Sequence, residues 1–213
     1  MLATGVWCKV SAIIAVCGNN FCSFIADTRR VISSGDRFLF GDDDTQKIFK
    51  LNSNVLYGMT GLYDTHSSIL AAVSAIQDLS HACVDDVKDC VLDYIEAHKY
   101  AIIKRNYLVG GKMPDGTFRV YEIRFDPKAK RADVEVRAPL SNVLANGKST
   151  FGISLCLPDK ATEHQKFYMS KVEDAILSSR THGEILQKAA GVIGLIAKKD
   201  DTVGTNVMAL SVF

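Results

Sequence analysis

The run S-A-I-I-A-V-C-G-N-N-F-C-S-F-I-A-D-T-R-R (residues 11–30), followed after a polar loop by T-Q-K-I-F-K-L-N-S-N-V-L-Y-G-M-T-G (residues 45–61), decides the fold. Ser11–Val16 and Phe21–Thr28 are apolar and rich in β-branched residues, and Gly18-Asn19-Asn20 between them is hairpin chemistry. Lys47–Leu51 and Asn54–Met59 return to strand, turning at Asn52-Ser53-Asn54. Residues 31–45, broken at Ser33-Ser34-Gly35-Asp36 and acidic from Gly41 to Asp44, read as a loop or loose hairpin. One sheet-like segment thus offers a small hydroxyl (Ser11), a carboxylate (Asp27), a lysine (Lys47) and a glycine amide (Gly61).

Outward from this stretch the periodicity changes. Ile69, Leu70, Val73, Ile76 and Leu79 keep helical spacing, as do Val87, Val91, Tyr94, Ile95, His98 and Ile102, which predicts two helices of about five turns each. Asn106–Gly111 and Phe118–Phe125 read as strands joined by a Pro-Asp-Gly turn. Arg131–Ala138 alternates as a half-exposed strand, and Leu140–Phe151 is ambiguous. Helical spacing returns at Phe167, Val172, Ala175 and Ile176, then at Ile185, Leu186, Ala189, Val192, Ile193 and Ile196. Thr205–Phe213 closes as a strand. Strands come in antiparallel runs and helices in pairs, which argues against βαβ units. The expected fold class is α+β: one domain over residues 1–213, with residues 1–10 as a short lead, built as a four-layer αββα sandwich of two antiparallel sheets flanked by helix pairs.

Composition narrows the function. Hydrophobic residues at 47% against 23% charged describe a globular chain. A net charge of +1 gives no global field for nucleic acid or an anionic membrane. The six cysteines (Cys8, Cys17, Cys22, Cys83, Cys90, Cys156) show no C-x-x-C pair and read as thiols in a reducing compartment. No basic-then-apolar leader and no apolar run near the roughly 20 residues of a membrane span is visible, so a soluble intracellular protein is expected. G-K-S-T at Gly147–Thr150 lacks the glycine a phosphate loop needs five residues earlier, where Asn142 stands. Asp42-Asp43-Asp44 lacks the rest of a calcium loop and reads as a solvated acidic turn. His66, His81, His98, His164 and His182 are scattered, with His98 on an apolar stripe as a core histidine and His66 at the surface. No G-x-S-x-G elbow exists. Neither metal nor cofactor is expected.

The opening segment carries the one suggestive chemistry. A residue with its own free α-amine serves as nucleophile and base together, since that amine titrates near pH 8. A lysine lowers the hydroxyl pKa, a carboxylate orients the lysine, and a backbone amide stabilises the oxyanion. Ser11, Lys47, Asp27 and Gly61 match those roles. The same residues also allow a plainer assignment, in which Ser11 opens a strand, Asp27 and Arg29 pair at a strand end, and Lys47 faces solvent.

I-A-D-T-R-R (25–30), T-Q-K-I-F (45–49), Y-G-M-T-G-L (57–62) and D-T-V-G-T (201–205) together resemble a proteasome β-type subunit of the N-terminal nucleophile hydrolase superfamily, with the same element order along the whole chain. The resemblance implies the αββα sandwich, assembly with other α- and β-type subunits in stacked seven-membered rings, and ATP- and ubiquitin-linked protein degradation in cytoplasm and nucleus, without nucleic-acid or membrane partners. It also maps the family's catalytic positions: Ser11 for the nucleophile, Asp27 sixteen residues later for the aspartate, Lys47 for the lysine, Gly61 fourteen residues beyond that for the oxyanion glycine, and Asp201 for the supporting aspartate. The loop before Lys47 is about four residues longer than the family's, by the same mapping. Ser11 stands where catalytic members have threonine, Val10 replaces the glycine at the cleavage point, and Asn146 and Gly204 replace supporting serines. The ten-residue lead and the segment G-M-T-G-L-Y-D-T resemble the non-catalytic beta-three-type subunit. With that lead attached, Ser11 has no free amine. The expected role is therefore a structural ring member; the alternative is a self-processing hydrolase using Ser11 once residues 1–10 are removed.

Overall fold

The hairpin at Gly18–Asn20 seeds the first sheet. In the computed structural model, which describes residues 11–34, 37–40, 43–60, 66–100, 105–139 and 151–213, the Gly18 N–H donates to the Phe21 carbonyl at 2.9 Å. β1 (Ile13–Cys17) and β2 (Cys22–Asp27) pair antiparallel from Ile13↔Ala26 to Cys17↔Cys22. Every residue of both strands is buried, so alternate side chains must enter two different cores. Ile14, Val16 and Ile25 enter one of them; Ile13, Ala15, Cys17, Cys22, Phe24 and Ala26 enter the other.

Two more strands complete this sheet, β10 (Gly152–Cys156) beside β1 and β11 (Val207–Val212) beside β2, in the order β10-β1-β2-β11. The second sheet is the antiparallel series β5 (Ile48–Lys50), β6 (Val55–Met59), β7 (Arg105–Lys112), β8 (Phe118–Asp126) and β9 (Arg131–Arg137). The sheets pack face to face through Phe24, Ile13, Ile48, Leu56, Leu108 and Val120. Phe24 fits because two glycines of the second sheet leave it room: a Cβ at Gly58 or Gly110 would lie 3.4 or 3.1 Å from its ring. Burying such a ring contributes about 1.5–3 kcal/mol.

Helices cover the outer faces. α1 (His66–Ser74) and α2 (Val84–His98) pack Ile69, Val73, Val87, Val91 and Ile95 onto Tyr57, Val109 and Ile123. α4 (Gln165–Leu177) and α5 (His182–Ala197) pack Tyr168, Val172, Ile185, Ala189 and Ile193 onto Ile14, Val16 and Ile25. The fold is the expected α+β, four-layer αββα sandwich.

Local departures have local causes. Residues 31–45 include a two-stranded pair, β3 (Val31–Ser34) with β4 (Arg37–Phe40), detached from both large sheets. The first helix ends at Ser74, short of the predicted five turns, because 3₁₀-like bonds such as Ile76 N–H to the Val73 carbonyl tighten it, and Asp78 adopts φ 58°. Ile76 and Leu79 keep their helical spacing yet reach the same core from turns. Of the ambiguous 140–151 segment, residues 140–150 lie outside the described residues; β10 begins after it at Gly152, and a single turn, α3 (Asp159–Thr162), precedes α4. His98 is exposed, not a core residue; its ring stacks on Tyr94 at 4.1 Å and its Nδ1 bonds the Tyr94 carbonyl.

Candidate active site

β2 ends at Asp27, and its carboxylate is the point on which several chain segments converge. Oδ1 accepts the Ala12 N–H at 2.8 Å. Oδ2 accepts the Lys47 ammonium at 2.7 Å, the Gly204 N–H at 3.1 Å and the Arg29 N–H at 3.3 Å. The Asp27 N–H in turn donates to the Ala12 carbonyl at 3.2 Å, closing the entry of β1 onto the end of β2. Lys47 lies one residue before β5, so the contact joins the two sheets. Both partners are buried, with side-chain exposures of 5% for Lys47 and 0% for Asp27. Burial pushes the Lys47 ammonium below its ordinary pKa, against the opposing pull of the Asp27 charge.

Ser11 immediately precedes Ala12 and is fully buried beside this hub. Of the sequence-derived positions, Asp27 and Lys47 are thus brought into contact, and Ser11 stands one residue from the Ala12 amide that Asp27 accepts. The plainer assignment fails for Lys47, which is buried against Asp27 and not solvent-facing. The Arg29 guanidinium grips Asp43 with two bonds, Nε–Oδ1 at 2.8 Å and Nη2–Oδ2 at 3.1 Å, and the Asp27 charge also favours it. That bond holds the Asp43 carboxyl below the usual range. Thr28 Oγ1 and the Asn206 amide both donate to the Asp43 carbonyl, so the acidic turn is fastened to the site.

Asp201 sits at the margin. It is exposed, and its backbone carbonyl accepts a 2.9 Å bond from Arg29 Nη1. Its charge is among those that favour the Arg29 guanidinium. Gly204 does more than the sequence suggested. A Cβ there would stand 2.8 Å from the Arg29 Cβ and 3.2 Å from its backbone nitrogen, so Gly204 admits Arg29 as well as donating to Asp27. Gly61, Val10, Asn146 and the lead 1–10 lie outside the described residues. Just before Gly61, Thr60 is buried and exchanges backbone and side-chain bonds with Asn106.

The Ala12, Arg29 and Gly204 amides and the Asp43 clamp were not identified from sequence. Backbone donors carry no side-chain signature; the glycine in D-T-V-G-T was the available hint. Chemically, a buried lysine of lowered pKa is suited to proton transfer, and here it is oriented by a carboxylate that also accepts three backbone N–H groups. Among the described residues, no group of three or more His, Cys, Asp and Glu side chains gathers to hold a metal ion, and no helix is long and apolar enough to cross a membrane.

No family model matches the chain, and no curated protein matches it by sequence. Among solved structures, the chain is similar in fold to eukaryotic HslV from Trypanosoma brucei, with a TM-score of 0.58 and 11% sequence identity over 94% of this chain and 98% of that one. The likeness spans the whole sandwich.

Proposed function

We propose that this chain is a structural, non-catalytic β-type subunit of a 20S proteasome core particle, set among α- and β-type neighbours in stacked heptameric rings, where those neighbours perform intracellular proteolysis in cytoplasm and nucleus. The motifs of residues 25–30, 45–49, 57–62 and 201–205 and the αββα fold support the family assignment. One observation carries the non-catalytic part. The Asp27–Lys47 frame is intact, yet Ser11 is fully buried, and the family's late serine is a glycine whose surroundings leave a side chain no room. Intact-mass and N-terminal mapping of the chain within its native particle tests this. Residues 1–10 are expected to remain attached; a chain beginning at Ser11 overturns the proposal.

A second reading, a self-processing hydrolase with Ser11 as nucleophile, is favoured by the 2.7 Å Lys47–Asp27 contact and by the lowered Lys47 pKa. A β-lactone or epoxyketone probe separates the two. Labelling of the neighbours with this chain unlabelled supports the structural role, and covalent labelling at Ser11 supports the hydrolase.

A further inference from the structure

β11 is fastened at both ends. At its start, the Gly204 N–H bonds Asp27 and the Thr28 N–H bonds the Asn206 carbonyl at 3.1 Å. At its far end it meets a cluster of three side chains from three elements. Ser23 Oγ on β2 lies 2.8 Å from His182 Nε2 and 2.8 Å from Ser211 Oγ on β11, and Ser211 Oγ lies 3.3 Å from the same nitrogen. His182 is the first residue of α5, whose start is fixed by the Thr181 hydroxyl accepting the Glu184 N–H. Its ring sits between Phe21 and Phe213, edge-on, at centroid distances of 4.8 and 5.1 Å.

We propose that His182 is a proton-operated latch on the far end of β11. Ser23 is fully buried and His182 half-buried. With the neutral ring in its Nδ1–H tautomer, Nε2 accepts the Ser23 hydroxyl, whose oxygen in turn accepts from Ser211. Protonation converts Nε2 to a donor, forces the hydroxyl chain to reverse, and places a charge between two phenyl rings. Burial lowers the His182 pKa from its ordinary 6.5, in keeping with this geometry. The groups contacting the ring are Ser23 on β2, Ser211 on β11, Phe21 just before β2 and Phe213 just after β11. The nearby cations Lys50 and Lys112 reach the Ser211 and Phe213 carbonyls at 3.2 and 3.5 Å. On α5 itself, Glu184 is turned to the Arg180 N–H at 2.7 Å. The linkage sign follows. A base whose pKa is lowered in the closed state favours closure above pH 6.5, and that advantage is lost as pH falls from 6.5 through the closed-state value.

The test uses the full chain. Hydrogen exchange at Met208–Val212, corrected for intrinsic rates, is followed between about pH 7.5 and 5 alongside the NMR titration of the His182 ring. Protection at the Leu210–Val212 end is expected to fall severalfold, by about tenfold for each unit that closure lowers the pKa. The midpoint should coincide with the His182 titration, and His182→Gln should abolish the step. Flat protection, a midpoint apart from that of His182, or a step persisting in His182→Gln overturns the latch. Should the variant fail to fold, the coincidence of midpoints in the unaltered chain still decides.

Discussion

Replacing either partner of the buried Asp27–Lys47 pair gives costs whose order the structure fixes. Lys47→Met strands the Asp27 carboxylate in the interior, but the Ala12, Arg29 and Gly204 N–H groups still donate to it. Asp27→Asn strands an ammonium instead, and the amide has one acceptor oxygen where donors approach both oxygens. Turning the Asn nitrogen toward Ala12 loses one bond and sets the amide N–H against the Ala12 N–H, the least harmful choice. Breaking a buried pair costs roughly 3–5 kcal/mol. Lys47→Met is expected near the lower figure and Asp27→Asn near the upper, since an unmet buried donor adds about 1–3 kcal/mol. The double variant removes both charges, so it should be less destabilised than Asp27→Asn alone, which requires a coupling of at least about 3 kcal/mol. Denaturant titration reads this as a shift in midpoint at constant slope. Additive single costs, or Lys47→Met costing more than Asp27→Asn, would refute the assignment of Asp27 as the hub.

Two further perturbations follow from the same site. Gly204→Ser and Gly204→Ala should each cost about 1–3 kcal/mol by overpacking, because the offending atom is the Cβ, 2.8 Å from Arg29; thermal melts showing serine tolerated while alanine is not would contradict this. Asp43→Asn should lower stability at about pH 6 by less than about 1 kcal/mol, since the Arg29–Asp43 pair is partly exposed. Arg29 holds the Asp43 pKa below 3.8, so this contribution is present above that value and is lost as pH falls through the lower native one. Melts of both proteins should therefore converge in acid, and a difference surviving at about pH 2 counts against the pair.

Much of the layering was legible because burial leaves a periodic trace. β1 and β2 read as near-continuous apolar runs since both of their faces are covered, and the glycine-asparagine turn placed them as a hairpin. Helical spacing found α2 and α5, but it could not show where α1 stops. Ile76 and Leu79 satisfy the same core from turns, so core contact outlasts the helix. Asp27 and Lys47 were recoverable from their motifs, whereas the grip of Arg29 on Asp43 was not, because an acidic turn reads equally well as solvated. The Ser23–His182–Ser211 cluster joins residues 159 and 188 apart, and no local pattern signals such a meeting.

The hub gives a frame of this kind a structural reason to persist whether or not it does chemistry. Asp27 ties the entry of β1, the turn after β2, the entry of β5 and the loop before β11, which brings both sheets to one carboxylate. Removing it unties all of these at once, so folding alone is enough to retain Asp27 and Lys47. The two residues are consequently poor witnesses to catalysis. What separates a working N-terminal nucleophile from a scaffold is a free amine at Ser11, a path for substrate to it, and hydroxyls to hold that amine. Ser11 is fully buried, and at Gly204 the space for a hydroxyl is taken by Arg29, whose guanidinium holds Asp43. Restoring serine there would displace the same arginine that fastens the acidic turn. On the proposed structural role, activity would require coordinated change at Ser11, Gly204 and Arg29, while Asp27 and Lys47 stay as they are.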